Sequence, residues 1–354
     1  MAGVVKTRGS LYFLRDLDYL TGQKGPYVKI GIVRKDKSTE ARIKEHQTGN
    51  PRGIIDEFTL TDVPFVEALE TQLHYHFNER WIAGEWFHMD EEFVKKHVLK
   101  EAKRLRKEQL KFEAQINSAD SLSTQVSNGE TRKPTKAELK LRDAHQQVKL
   151  DIETANARLN IAKSQLLQAI GKYGLVEGVF QLSKSKDAIK FDATAFKSAN
   201  QALYDTYCFE KEGGFQKTFK VEGGPKLKNE DETLYNKSKA VPKESYSNAQ
   251  LGKDKKRSKK FEELHWAYLE ALRASKLLDW ELTKLEAQLK TNCGHYDAID
   301  ETCTWVRKQK DSTMSFDEKL FEEKEPKEYL KYLKVKSGNF IGKIELTRAY
   351  QPSL

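Results

Sequence analysis

"SLYFLRDLDYLTGQKGPYVKIGIV", Ser10 to Val33, decides how the chain starts to fold. "SLYFLR" and "YVKIGIV" are rich in aromatic and β-branched residues and flank the Gly/Pro-rich "TGQKGP", a pattern that predicts a β-hairpin with an irregular turn. Downstream, "STEARIKEHQTGNP" predicts a short helix with Ser38 or Thr39 as N-cap and a stop at Gly49-Asn50-Pro51. "GIIDEFTL" predicts another strand, and Pro64 is well placed to open a helix reaching about Trp81. "GEWFHM" then reads as a short edge segment that closes a compact α/β unit.

Inside that helix Glu70, Leu73, His74 and Phe77 recur at i, i+3, i+4 and i+7, so a carboxylate shares one stripe with apolar residues. An unpaired buried carboxylate is costly, which makes Glu70 a candidate for binding something. Trp81, Trp86 and Phe87 read as core, and His74 as a residue that orients Glu70.

The expected fold class is α+β: this N-terminal domain over 1–94, then a mainly α-helical region with a long antiparallel hairpin, and a small C-terminal β element. Residues 95–135 read as a basic exposed helix leaving the domain, followed by a flexible linker, because "NSADSLSTQVSNGETRKP" is poor in apolar residues. Leu141, Ala144, Val148, Ile152, Ala155, Leu159, Ala162 and Leu166 keep heptad spacing, as do Phe261, Leu264, Tyr268, Ala271, Leu278, Leu282, Leu285 and Leu289, with Ser275 filling one seam position. Two such helices most simply pair within one chain over 136–292, with 171–260 inserted between them; a homodimer through one seam is the competing reading. In the insertion "GGFQKTFKVEGG" suggests an edge strand. The charge-rich stretch from Asn229 to Lys260 suggests a mobile segment. Residues 293–354 suggest a helix and a terminal hairpin, and no repeat of 20–50 residues is visible.

The 354 residues carry 62 Lys plus Arg against 53 Asp plus Glu, a net charge of +9, which favours a polyanionic partner, DNA first. Lys95, Lys96, Lys103, Arg104, Arg106 and Lys107 on the basic helix are candidate phosphate contacts, as are Lys255, Lys256 and Arg257 in "GKDKKRSKK". The sparse set Cys208, Cys293 and Cys303 implies no disulfide framework. No run approaches the roughly 18 apolar residues of a membrane span. A cytoplasmic protein with no membrane association is therefore expected.

"LYFL" followed by "YVKIGI", then Arg42 with His46 four residues on, then "ALETQLH" and "GEWF", resembles the GIY-YIG nuclease superfamily, in its phage and bacterial branch. The resemblance covers Leu11 to Met89. It matches Tyr12 to the tyrosine of the first half-motif, Ile30-Gly31 to the end of the second, Arg42 and His46 to the family's Arg and following His, and Glu70 to its metal-binding carboxylate. Lys29 stands where many members carry tyrosine, for which Tyr27 is a candidate substitute, and neither Asn50 nor Asn78 sits where many members place an asparagine.

Phosphodiester hydrolysis needs a deprotonated water, a hard cation and a fixed positive group on the non-bridging oxygens. Glu70 suits Mg²⁺ or Mn²⁺, Arg42 the phosphate, and Tyr12, Lys29 or His46 the proton work. The expectation is a metal-dependent DNA endonuclease whose C-terminal region recognises DNA or a partner, in phage biology or anti-phage defence. A catalytically weak DNA-binding or scaffold protein reusing the nuclease fold is the alternative.

Overall fold

The computed structural model describes residues 7–34, 38–48, 50–224, 226, 229–240 and 249–347. Gly49, Val241–Asn248 of the segment expected to be mobile, and the last residues of the C-terminal segment lie outside them.

β1 (Gly9–Leu17) pairs antiparallel with β2 (Lys24–Arg34), forming the expected hairpin. α1 (Thr39–Gln47) follows, with the Ser38 hydroxyl accepting from the Ala41 amide. β3 (Gly53–Val63) returns beside β1, and α2 (Val66–His76) leads through a 3₁₀ turn to β4 (Trp81–Ala83) and β5 (Trp86–His88). The sheet order is β3-β1-β2-β5-β4. Alternation along β1 sends Leu11 and Phe13 to the face covered by Leu69 and Leu73 of α2, and Tyr12 and Leu14 to the face where Ile43 of α1 lies. Two expectations are corrected. The helix ends at His76 instead of Trp81, because Trp81 is needed in a tight β4–β5 turn, where its indole N–H donates to the Gly84 carbonyl at 2.6 Å. The "GEWF" segment is also interior to the sheet, with β4 outside it.

α3 (Glu91–Phe93) continues through a π-helical stretch, Val94–Val98, into α4 (Leu99–Leu122). This helix does not leave the domain. Val94, Val98, Ala102 and Leu105 fill the N-terminal core, and farther along Ile116 and Ala119 pack with Phe65, Trp280 and Ala287. The segment expected as a flexible linker is helical to Leu122, and beyond it the Ser127 and Asn128 amides donate to the Arg307 and His295 carbonyls. Its polar composition predicted few core contacts correctly but could not reveal backbone partners so remote in sequence.

β6 (Thr131–Arg132) precedes α5 (Lys136–Ile170), which opens with a capping box between Thr135 and Glu138. The chain then runs through β7 (Tyr173–Val176), β8 (Phe180–Lys184), β9 (Ala188–Phe191), α6 (Ala193–Ala199), α7 (Gln201–Thr206), β10 (Cys208–Lys211), β11 (Phe215–Val221), α8 (Asn229–Lys239) and β12 (Gln250–Lys255) to α9 (Lys259–Cys293). It ends with β13 (Ala298–Ile299), β14 (Cys303–Gln309), β15 (Thr313–Phe316), α10 (Glu318–Lys324), α11 (Pro326–Lys331), β16 (Leu333–Lys336) and β17 (Phe340–Ile344).

α5 and α9 form the antiparallel hairpin within one chain. Leu141 shares a cluster with Leu289 at one end, and Leu166 with Phe261 at the other. Ser275 occupies a seam position as expected, its hydroxyl 2.7 Å from Asn156 Oδ1. The seam departs from the expected heptad near its start, where His145 is buried and Ala144 is exposed. Each seam is filled by the other, so the homodimer through one of them is not the arrangement adopted. Two further expectations change: part of "GKDKKRSKK" is strand β12, and β16 and β17 do not pair with each other.

A long internal repeat, absent from the sequence expectations, organises the C-terminal region. α5 and α9 are both 35 residues long and end on Gly171 and Gly294, with φ of 54° and 60°. After each come a hairpin, a third strand, two short helices and two strands. The two copies exchange partners symmetrically: β6 pairs with β13 as β12 pairs with β7, β8 with β17 as β14 with β11, and β9 with β16 as β15 with β10. Matching residues stand at matching places, including Tyr173 and Tyr296, Asp192 and Asp317, Phe196 and Phe321, Tyr204 and Tyr329, and Tyr207 and Tyr332. Asp192 and Asp317 cap equivalent helices through the Ala195 and Leu320 amides at 2.9 and 3.0 Å.

The strand exchange makes two two-stranded ribbons, β8–β9 with β16–β17 and β10–β11 with β14–β15. Their tips meet in an aromatic lobe on the pseudo-two-fold axis. There Phe196 stacks on Phe321 at 4.4 Å, Phe191 on Tyr329 at 4.7 Å and, symmetrically, Tyr204 on Phe316 at 4.5 Å. Both copies are required to complete this core. Phe196→Ala and Phe321→Ala are therefore expected to destabilise the lobe to a similar extent, by about 3–5 kcal/mol each; urea unfolding of the two variants checks this, and a large inequality would contradict the equivalence.

Candidate active site

β5 pairs with β2 only across Tyr27–Lys29, so beyond Ile30 that edge of β2 has no strand beside it among the described residues. At that edge a cleft of about 310 Å³ is lined by Tyr12, Ile32, Val33, Arg34, Arg42, Glu70 and Glu85. Tyr12 lies opposite Gly31 in the β1–β2 register, and a Cβ on Gly31 would come within 2.5 Å of the Tyr12 hydroxyl oxygen. The close approach explains why a glycine follows Ile30. The Tyr12 hydroxyl is 3.3 Å from His46 Nε2 on α1.

Charge is concentrated here. Lys29 is buried and ion-paired with Glu85, and Arg42 is ion-paired with Glu45 one turn along α1. Glu70 is half-buried, and its Oε1 is buried with no hydrogen-bond partner. Burial first, then the negative charge of Glu85, push the Glu70 carboxyl up to about 8, with Lys29 opposing. Burial, followed by Glu85, pushes the Tyr12 phenol up to about 12. The His46 imidazole is lowered by burial and then by the positive charges of Lys29 and Arg42, which favours the neutral ring, whose Nε2 in one tautomer can accept from the phenol.

The sequence candidates thus separate. Tyr12, Arg42 and Glu70 line one cleft, with His46 touching Tyr12 and Lys29 reaching the cleft through Glu85. Tyr27 lies against His88, ring centres 5.7 Å apart, and is not among the lining residues. His74 is buried among Trp81 and Phe87, and its Nε2–H donates to the Ile30 carbonyl at 2.9 Å. It holds β2 in place and makes no hydrogen bond to Glu70.

Glu85 escaped the sequence reading. It sits inside "GEWF", which the sequence presents as an edge segment, next to Trp86, the strand partner of Lys29. Glu70 and Glu85 offer the hard oxygen donors a divalent cation prefers, and the orphaned Glu70 oxygen fits that role. Among the described residues no group of three or more His, Cys, Asp or Glu is placed to hold a metal. Cys293 and Cys303 are buried free thiols.

The expected DNA contacts on the helix after Asp90 are partly neutralised. Lys95 pairs with Glu91, Arg104 with Glu101 and Glu108, and Arg106 with Asp62. Arg257 pairs with Glu262. Lys96, Lys103, Lys107, Lys255 and Lys256 are exposed.

The T5orf172 domain, a phage-associated domain related to the GIY-YIG-like nuclease fold, matches residues 9–105. The match contains the whole cleft and stops within α4. No curated protein and no solved structure matches the chain. Among the described residues no helix is long and apolar enough to cross a membrane.

A raised carboxyl pKa means that the folded state retains a proton which the unfolded chain releases above about pH 4.5. In the metal-free protein this makes stability fall as pH rises from about 4.5 to about 8. Glu70→Gln is expected to remove that slope and to raise stability at pH 8–9 by a few kcal/mol at most, with little change at pH 4.5. Thermal melts of both proteins in chelator across this range check the sign.

Proposed function

We propose that the N-terminal unit is a metal-dependent DNA endonuclease acting in phage biology. The observation that carries this reading is the unpartnered buried Glu70 oxygen, which shares one open-edged cleft with Arg42 and the Tyr12–His46 pair. The phage-associated domain match over the same residues supports it.

In this reading Glu70, with Glu85 beside it, holds Mg²⁺ or Mn²⁺, which supplies neutralisation of the charge developing on the phosphate. Arg42 exchanges Glu45 for the non-bridging oxygens of the scissile phosphate, for which its planar fork is suited. Neutral His46 accepts the proton of the attacking water through the Tyr12 hydroxyl; a phenol raised to about 12 relays the proton and does not itself act as the resident base. One P–O bond forms to water and one ester P–O bond breaks, leaving phosphate on one product and hydroxyl on the other. Lys29, tied to Glu85, positions that carboxylate.

The ion pairs that occupy Arg42 and Lys29 favour a second reading, a catalytically weak DNA-binding protein built on the nuclease fold. Incubation of purified protein with plasmid and linear DNA, with Mg²⁺, Mn²⁺ or chelator, separates the two. Metal-dependent nicking or linearisation is expected, and intact DNA under every condition would sink the nuclease.

Glu70→Ala should lower cleavage by at least about a thousandfold, since several kcal/mol of charge stabilisation depend on it, while DNA affinity in chelator stays within about threefold. Arg42→Lys should fail almost as badly as Arg42→Ala, because a point charge lacks the fork. Single-turnover rates on one duplex check both; a wild-type rate for the Lys variant would reduce Arg42 to general positive potential.

A further inference from the structure

The two ribbons are held to the same fold by the repeat, yet their surfaces have diverged. β8 and β9 face β17 and β16 in one continuous register, from Phe180 opposite Ile344 to Phe191 opposite Leu333, with no residue gained or lost. Alternation therefore carries through the whole ribbon. On one face Phe180, Leu182 and Ile344 pack on the helical hairpin at the base. Above them that face carries Lys184, Lys186, Lys190, Lys334 and Lys336, together with Phe340 and no acid. From Ser183 to Lys190 every residue is exposed, so none of the described residues covers the ribbon there.

In the second ribbon the register places Gln309 where the first has Lys184, Asp311 for Lys186, Ser315 for Lys190 and Phe209 for Lys334; Lys211 alone is kept, at the place of Lys336. The backbone needs are shared. A Cβ on Gly338 would meet the Ser185 carbonyl oxygen at 1.7 Å, and one on Gly213 the Lys310 and Asp311 oxygens at 2.3 Å. The second ribbon thus acts as an internal control: the shape forms without the lysines, and folding does not require them. Lys186, Lys190 and Lys336 form no ion pair with any described residue, whereas Lys334 pairs with Asp192 at 2.5 Å and Lys184 reaches Asp187 at 4.0 Å.

We propose that the lysine face of the first ribbon is the principal surface by which this protein holds the backbone of duplex DNA, a deepening that rests on the nuclease reading above. Charge complementarity sets the polyanion. A free two-stranded ribbon is also the shape a major groove admits, and with Phe340 as the one exposed aromatic on the face it lacks the stacking platforms that single strands require. The basic helix after Asp90 is secondary because Glu91, Glu101 and Glu108 interleave its lysines, whereas the ribbon face carries no acid, and the Lys255–Arg257 stretch is secondary because it is shorter.

The test measures duplex affinity against salt, in chelator and in a Glu70→Gln background, so that cutting does not enter. Lys186→Thr/Lys190→Thr/Lys336→Thr should weaken binding at low salt by at least about tenfold and flatten the log–log salt slope by about 2 to 3, while Gln309→Thr/Lys211→Thr/Ser315→Thr on the other ribbon should change the slope by about one at most. Circular dichroism and melting are expected to match the parent, since the second ribbon folds with Asp311 and Ser315 at the places of Lys186 and Lys190, and all three lysines are exposed. An unchanged slope in the first variant, an equal loss in the second, or equal competition by a single strand of the same length would overturn the inference. Ribbon-dependent binding by a parent protein that never cuts would uphold it while removing the nuclease reading. A protein that cuts but whose slope ignores the ribbon would do the reverse, and absence of duplex binding altogether would remove both.

Discussion

The antiparallel contact between α5 and α9 is the constraint on which the rest of the structure hangs. α9 buries residues around much of its circumference: Phe261, Leu269 and Leu272 help form one cluster, Leu289 and Cys293 a second, and Trp280 and Ala287 a third. Through that third cluster the N-terminal unit docks, with the Gln72 amide donating to the Lys276 carbonyl at 3.1 Å and Lys284 ion-paired with Glu108. At 1.5 Å per residue each helix spans roughly 50 Å, so the two ribbons rise from ends about that far apart and meet again at the aromatic lobe. Loss of the seam would separate the sites at its ends along with the nuclease-like unit on its flank.

At the cleft one missing strand pair does most of the chemistry's groundwork. Because β5 stops at Trp86, the edge of β2 stays open where Glu70 and Glu85 arrive, and two carboxylates come close enough for one to raise the other. The opposing cations Lys29 and Arg42 are held in ion pairs, and they depress His46 while leaving it within reach of Tyr12. Water exclusion and like charge are what hold the Glu70 carboxyl protonated above the usual carboxylate range.

The repeat changes how the C-terminal region is understood. Each copy is incomplete alone, since its strands are paired by the other copy and half of its aromatic core comes from across the axis. Symmetry then distinguishes structure from use: Phe196 and Phe321, Gly213 and Gly338, and Asp192 and Asp317 are alike because the fold needs them twice. Of the five lysines on that face of one ribbon only Lys336 has a lysine, Lys211, at the matching place of the other, and folding does not account for the remaining four.

The α+β class, the opening hairpin, the Glu70 stripe and the pairing of the two long helices were legible in the sequence, because periodicities of 2 and 3.6 are local and report which face is buried. Tyr12, Arg42 and Glu70 were legible as a set because they keep order and spacing on recognisable elements. Glu85 was not: its proximity to Glu70 depends on where β5 stops, a matter of pairing and not of pattern. The helix after Asp90 looked solvated because its charges outnumber its buried residues, although a narrow stripe from Val94 to Leu105 suffices to hold it against the core. The repeat stayed hidden because its copies keep only scattered aromatic, glycine and aspartate positions. What was preserved is strand register and the exchange of partners between halves, and those exist only once hydrogen bonds join residues more than a hundred positions apart.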